Sequence, residues 1–86
     1  MKDELKKIIE EMITHRWIDQ YELLDVIQHQ YGFSLIFRNK KSNNRFSPTI
    51  LPSQLVYRLV VQNFPEAYVI LKKEIETAFE KERISG

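Results

Sequence analysis

The chain has 86 residues, a net charge of +1 and no cysteine, and 43% of its residues are hydrophobic. This length predicts a single compact domain over residues 1–86, and the lack of cysteine excludes disulfides, thiolate nucleophiles and thiolate metal sites. Neither a secretory signal nor a long uncharged apolar segment is recognisable, so we expect a cytoplasmic protein with no membrane partner.

Two amphipathic helices are predicted at the start of the chain. Residues 3–15 place five apolar side chains at helical spacing, namely Leu5, Ile8, Ile9, Met12 and Ile13. Asp19 is a typical N-cap residue, and Glu22 stands where it would complete a capping box. Gly32 suits the left-handed position that follows a helix, so the second helix is predicted to run from Asp19 to Gly32.

A β-hairpin is predicted next. Residues 33–38 alternate between large apolar side chains and others, which indicates a strand whose odd-numbered positions face the core. After a polar turn, residues 45–47 are predicted to return as a short edge strand, which Pro48 ends. A bare loop is the alternative for this second half of the hairpin.

Two further helices complete the predicted fold. Residues 54–62 are apolar except at three positions spaced four residues apart, which favours a helix over a strand. These polar positions are Gln54, Arg58 and Gln62. Pro65 opens a fourth helix that runs to about Arg83. Its inward-facing residues are predicted to be Ala67, Tyr68, Ile70, Leu71, Ile75, Ala78 and Phe79. The predicted fold is therefore mainly α (α+β), with about four helices and one β-hairpin inserted between helices two and three.

Residues 26–65 contain no acid, and four of their five bases fall within residues 38–45, which we call the basic octet. Lysine and arginine supply charge for phosphate groups, while asparagine, serine and free backbone N–H groups supply hydrogen bonds. We therefore expect the basic octet to contact nucleic-acid phosphates, either DNA or RNA. The contacting residues are predicted to be Arg38, Asn39, Lys40, Lys41, Asn43, Asn44 and Arg45. An ordinary solvated turn and an acidic protein partner are the alternatives.

The short connection between the first two predicted helices also suggests a helix-turn-helix DNA-binding motif. Charge argues against this motif, because the exposed side of the second helix would present Glu22, Asp25 and Gln28 to the phosphate backbone. Any contact with DNA is therefore expected through the tip of the hairpin.

The third predicted helix is apolar around most of its circumference, which is difficult to bury completely in 86 residues. Part of it is therefore expected to meet a second copy of the chain or another protein. The predicted interface residues are Leu55, Val56, Leu59, Val60 and Phe64. The alternative is a central helix that the other three helices cover.

No pattern for catalysis stands out. His15 with Asp19 and Asp25 with His29 have the spacing of paired metal ligands, but no third ligand is evident, and surface pairs explain them. With only two glycines, a glycine-rich phosphate loop is excluded. We expect no metal, cofactor or small-molecule substrate. The sequence thus predicts a non-enzymatic regulatory or accessory protein that binds nucleic acid, or alternatively a protein-binding adaptor or inhibitor.

Overall fold

The computed structural model describes residues 1–48 and 50–85, which form an α+β fold of three helices and a four-stranded antiparallel sheet. The elements in chain order are α1 (Lys2–Met12), β1 (Tyr21–Gln28), β2 (Gly32–Asn39), β3 (Arg45–Phe46), β4 (Leu51–Pro52), α2 (Ser53–Val60) and α3 (Pro65–Ser85). The predicted bundle of about four helices, with a hairpin between helices two and three, was therefore wrong.

Strand β2 is the centre of the sheet. One of its edges pairs with β1 along nearly the whole length of both strands. The other edge pairs with two short strands, β3 beside Phe37 and β4 beside Phe33. The predicted hairpin is thus present as β2 and β3, and residues 40–44 form the turn between them.

The hydrophobic core joins the inward side of the sheet to all three helices. Buried side chains come from α1 (Leu5, Ile9, Met12), from β1 and β2 (Tyr21, Leu23, Val26, Phe33, Leu35, Phe37), from α2 (Val56, Leu59) and from α3 (Ala67, Leu71, Ile75, Phe79). Trp17, in the connection from α1 to β1, is also buried. The predicted inward residues of the first strand of the hairpin are confirmed. Of the five apolar residues of the first predicted helix, four are buried, and Ile8 is partly buried against the core.

The second predicted helix is strand β1, and an irregularity in that strand explains the error. The register shifts between Leu23 and Asp25, so Leu24 is the extra residue of a β-bulge. Because of the bulge, Leu23 and Val26 both face the core at a spacing of three, which resembles a helical period. Pairing with β2 outweighs the local capping signals, so tertiary contacts determine that this segment is a strand.

Gly32 is the first residue of β2 and not the cap of a helix. Its backbone does not adopt a positive φ. Glycine is required for a different reason, because a Cβ atom here would lie 2.6 Å from the carbonyl oxygen of Leu51 on β4. The residue allows β4 to approach β2 closely.

The remaining predicted helices are confirmed with shifted ends. The helix predicted at residues 54–62 is α2, and the one predicted from Pro65 is α3, which continues to Ser85. Across residues 1–48 and 50–85, no helix has both the length and the apolar composition needed to cross a bilayer.

Candidate interaction surfaces

The turn of the basic octet uses its own polar groups to hold its shape. The Asn39 Oδ1 atom accepts hydrogen bonds from the backbone N–H groups of Lys41 and Ser42, at 2.9 and 3.1 Å. The N–H group of Asn43, a residue with a positive φ of 67°, donates to the carbonyl oxygen of Asn39. These three N–H groups are therefore engaged within the turn, which leaves fewer backbone donors for phosphate oxygens.

The charge of Arg38 is neutralised by Glu22, a residue that was predicted to lie on the second helix. Its Nε and Nη2 atoms lie 2.7 and 2.6 Å from Oε1 of Glu22, which is directly opposite on β1. Its Nη1 atom donates to the Asn43 side chain at 2.7 Å. Both charged side chains are about one-third exposed, at 32% and 35%. The guanidinium group of Arg38 is thus already bonded within the protein, which limits its contacts with an external ligand.

Lys40 is also engaged within the protein. Its Nζ atom donates to the carbonyl oxygen of Ile18 at 2.7 Å, and its backbone N–H donates to the carbonyl oxygen of Gln20 at 2.8 Å. Lys41 and Arg45 are exposed, and neither forms an ion pair with the residues that the structure describes. Of the four bases, these two are the ones available to an external anion.

Arg45 stands directly opposite Arg38, because the two residues are paired in the register of β2 and β3. Glu22, Arg38 and Arg45 therefore form a row across three strands, with two positive charges and one negative. Like charges in directly opposed positions are destabilising, so an external anion beside Arg45 would relieve this repulsion. The basic octet has a local excess of positive charge despite its internal bonds.

Asn39 has a second role, which ties the octet to α3. Its Nδ2 atom donates to both carboxylate oxygens of Glu82, at 3.2 and 3.3 Å. The phenol of Tyr21 donates to the same carboxylate at 2.5 Å, and its ring stacks on Phe79 with 4.4 Å between centroids. Burial, followed by the hydrogen bond to Glu82, raises the pKa of Tyr21 well above its ordinary value. Asn39 is thus mainly structural.

A second surface is apolar and lies on α2, α3 and their connection. Six exposed apolar side chains lie on these elements, and we call them together the α2–α3 surface: Tyr57, Val61, Phe64, Tyr68, Val69 and Ile70. Because Tyr68, Val69 and Ile70 are successive residues of α3, their side chains point in directions about 100° apart and do not share one face. Val69 is the most exposed of them, at 63%. A cleft of about 530 Å³ opens beside this surface, and Tyr57, Phe64 and Ile70 are among the residues that line it.

The predicted interface residues divide between the core and this surface. Val56 and Leu59 are buried within the chain's own core. Leu55 and Val60 are partly buried and pack against the core, whereas Phe64 is 48% exposed. Of the five predicted residues, Phe64 alone belongs to the α2–α3 surface.

Sequence reasoning missed the contribution of α3 to this surface. Tyr68 and Ile70 were expected to face inward, but both are exposed. The regular stripe of buried residues, at positions 67, 71, 75 and 79, already repeats every four residues without them. A strict helical period would therefore have placed Tyr68 and Ile70 outside the core.

Asp25 and His29, the second pair with metal-ligand spacing, have local partners. The carboxylate of Asp25 accepts a hydrogen bond from the N–H of Val26 at 2.8 Å, and His29 Nε2 lies 2.7 Å from the hydroxyl oxygen of Ser34. Within the described residues, no group of three or more His, Asp or Glu side chains is arranged to hold a metal ion.

Comparisons with protein-family models, with curated proteins and with solved structures found no match to this chain. Its function is therefore inferred from the two surfaces themselves.

Proposed function

We propose that this chain is a non-enzymatic adaptor or inhibitor, acting in the cytoplasm, that binds a protein partner through the α2–α3 surface. The observation that supports the proposal is that residues 57–70 carry six exposed apolar side chains, of which Tyr57, Phe64 and Ile70 line one cleft. Large exposed apolar patches on small proteins mark interaction sites more often than isolated apolar residues do. Three of the six side chains are aromatic, and aromatic residues are enriched at protein interfaces.

The polar residues beside this surface favour an ordered complex over non-specific adhesion. Arg58 and Gln62, on and just after α2, and Glu66, at the start of α3, line the cleft next to the exposed apolar side chains. A polar rim around an apolar centre is the usual anatomy of a protein interface. The partner is expected to present an apolar segment to the centre and hydrogen-bonding groups to the rim.

The proposal is tested with substitutions that place a charge in the surface. Val61→Asp and Phe64→Asp change side chains that are 51% and 48% exposed, so the fold should be retained. Ile18→Asp is the matched control, because Ile18 is 47% exposed and lies outside the α2–α3 surface. Partners captured from the native cell by the tagged wild type should be identified and then tested as purified proteins.

A partner that binds the wild type and Ile18→Asp, but neither of the other two variants, would support the proposal. A partner that binds all four proteins equally would contradict it. Sedimentation at about 100 µM distinguishes one special case, in which the partner is a second copy of the chain and both substitutions convert a dimer to a monomer.

Nucleic-acid binding through the basic octet is the second candidate, and the opposed pair Arg38 and Arg45 favours it. A short duplex would be titrated into labelled protein at about 50 mM salt and followed by NMR. Lys41→Ala and Arg45→Ala should each reduce the magnitude of the negative slope of log K against log salt concentration by about 0.9, whereas Lys7→Ala on α1 should leave the slope unchanged. Absence of shifts around the turn would exclude this candidate.

A further inference from the structure

Helix α3 turns one side of its surface away from the core. Its buried side chains repeat every four residues, at Ala67, Leu71, Ile75 and Phe79. At 3.6 residues per turn, Glu66 and Lys73 point almost directly away from that buried stripe. Val69 and Ile70 flank the line between these two residues, one on each side. All four residues are exposed, and we call them together the α3 ridge.

The charges of the α3 ridge are arranged symmetrically. Glu66 and Lys73 are seven residues apart in the sequence. This separation corresponds to about 10.5 Å along the helix, and its midpoint falls between Val69 and Ile70. One negative and one positive charge therefore stand about 5 Å on either side of an apolar centre. Within the described part of the chain, neither Glu66 nor Lys73 forms an ion pair, so both charges are available to another molecule.

This order of charges is complementary to itself. If a second copy packs its α3 antiparallel to the first, about a two-fold axis at the midpoint, each Glu66 stands opposite Lys73 of the other copy. Val69 and Ile70 of the two copies then meet at the centre. A parallel pair of helices would instead oppose like charges, which is unfavourable. An unrelated protein would need a matching charge order of its own, whereas a second copy supplies it by symmetry.

The other carboxylates near the ridge are compatible with the antiparallel arrangement. Glu74 and Glu76 follow Lys73 along α3. In the antiparallel pair they lie beside the N-terminal end of α3 of the second copy, which begins at Pro65. The helix dipole favours negative charge at that end.

We propose that the α3 ridge pairs with the α3 ridge of a second copy of this chain, as an antiparallel helix pair with two-fold symmetry. Packed helices lie about 8–10 Å apart, which brings the Glu66 carboxylate within reach of the Lys73 ammonium group of the other copy. Since the ridge is small compared with a standard protein interface, the dimer is weak and is measured at high concentration. The inference goes beyond the adaptor function, because the pairing requires neither Val61 nor Phe64.

The test exchanges the charges and follows association by sedimentation at about 500 µM protein. Glu66→Lys and Lys73→Glu each replace two attractive contacts of the dimer by two repulsive ones, so each should raise the dissociation constant about tenfold or more. An equimolar mixture of these two variants should dimerise again, because every contact then joins opposite charges. The double variant Glu66→Lys/Lys73→Glu should also dimerise by itself. Lys7→Glu on α1 makes the same charge change at an exposed position away from the ridge and should leave the dimer intact.

Three results would overturn the proposal: a wild type that is monomeric at this concentration, a dimer that neither single charge change weakens, or a mixture of the two variants that stays monomeric. Circular dichroism of each variant verifies that the fold is retained. Val61→Asp separates this proposal from the adaptor function, because it should lose the protein partner and remain dimeric. If the wild type is monomeric while Val61→Asp still abolishes binding of a captured partner, the dimer is excluded and the adaptor function stands.

Discussion

Tyr21 and Glu82 connect β1 to the end of α3 through a 2.5 Å hydrogen bond from the phenol to the carboxylate. Tyr21 begins β1, and Glu82 lies in the last turns of α3. Asn39, at the end of β2, donates to the same carboxylate and also shapes the turn of the basic octet. One carboxylate therefore holds α3 against both long strands and supports the basic octet.

Replacing Tyr21 by Phe should destabilise the fold. The phenol of this 1% exposed residue bonds a charged partner, and such hydrogen bonds contribute about 1.5–3 kcal/mol. The free energy of unfolding in urea should therefore fall by about 2 kcal/mol. Tyr31→Phe is the control, because Tyr31 is 80% exposed, and it should change stability by less than about 0.5 kcal/mol. Equal losses in the two variants would contradict the importance of the Tyr21 hydrogen bond.

The stability of the protein should fall at alkaline pH because of Tyr21. Its pKa is raised in the folded state, so the folded chain retains the phenol proton at a pH where the unfolded chain releases it. The contribution is fully present below the ordinary tyrosine pKa of about 10 and declines above it, by up to about 1.4 kcal/mol per pH unit. Urea unfolding at several pH values above 9 measures this slope. The slope should be smaller in Tyr21→Phe, and identical slopes would refute the assignment.

Gly32→Ala should be strongly destabilising. The new methyl group would lie 2.6 Å from the carbonyl oxygen of Leu51, and a backbone atom cannot move away as a flexible side chain can. Overpacking of this kind costs about 1–3 kcal/mol. Thermal unfolding monitored by circular dichroism measures the loss. Gln30 is exposed in the turn before β2, so Gln30→Ala should have little effect. A neutral Gly32→Ala would show that β4 does not pack closely on β2.

Arg45→Glu should stabilise the fold. It replaces two opposed positive charges on β2 and β3 by an opposite-charge pair with Arg38, worth about 0.2–1 kcal/mol. The gain should decrease as salt is added, since the pair is near the surface. Arg45→Gln removes the repulsion without adding attraction, so its stability should lie between those of the wild type and Arg45→Glu. Destabilisation by Arg45→Glu at low salt would contradict the register.

Two valines on and just after α2 distinguish its buried side from the α2–α3 surface. Val56 is fully buried, so Val56→Ala should cost about 2 kcal/mol through lost burial and the cavity that remains. Val61 is 51% exposed, so Val61→Ala should cost less than about 0.5 kcal/mol. Urea unfolding of both variants provides the comparison. The reverse order would mean that the helix is rotated and that Val61 belongs to the core.

The sequence predicted an element correctly where one local signal was strong. It failed where the structure depends on contacts between residues distant in the chain. Regular alternation identified β2, and Pro65 with a long apolar stripe identified α3. The pairing of Arg38 with Glu22 could not be foreseen, because it depends on the register of two strands, one of which was mistaken for a helix. The charge of the basic octet was therefore readable from the sequence, but its neutralisation was not.

The bulge at Leu24 also bears on whether the edge strand β1 can pair with strands of other molecules. β1 is an edge strand of eight residues, and among the described residues it pairs with β2 alone. A regular edge of this length would be a template for strands of other chains, the first step of aggregation. The bulge interrupts the spacing of backbone donors and acceptors, and charged Asp25 follows at once. The irregularity that made β1 resemble a helix is therefore also expected to oppose growth of the sheet between molecules.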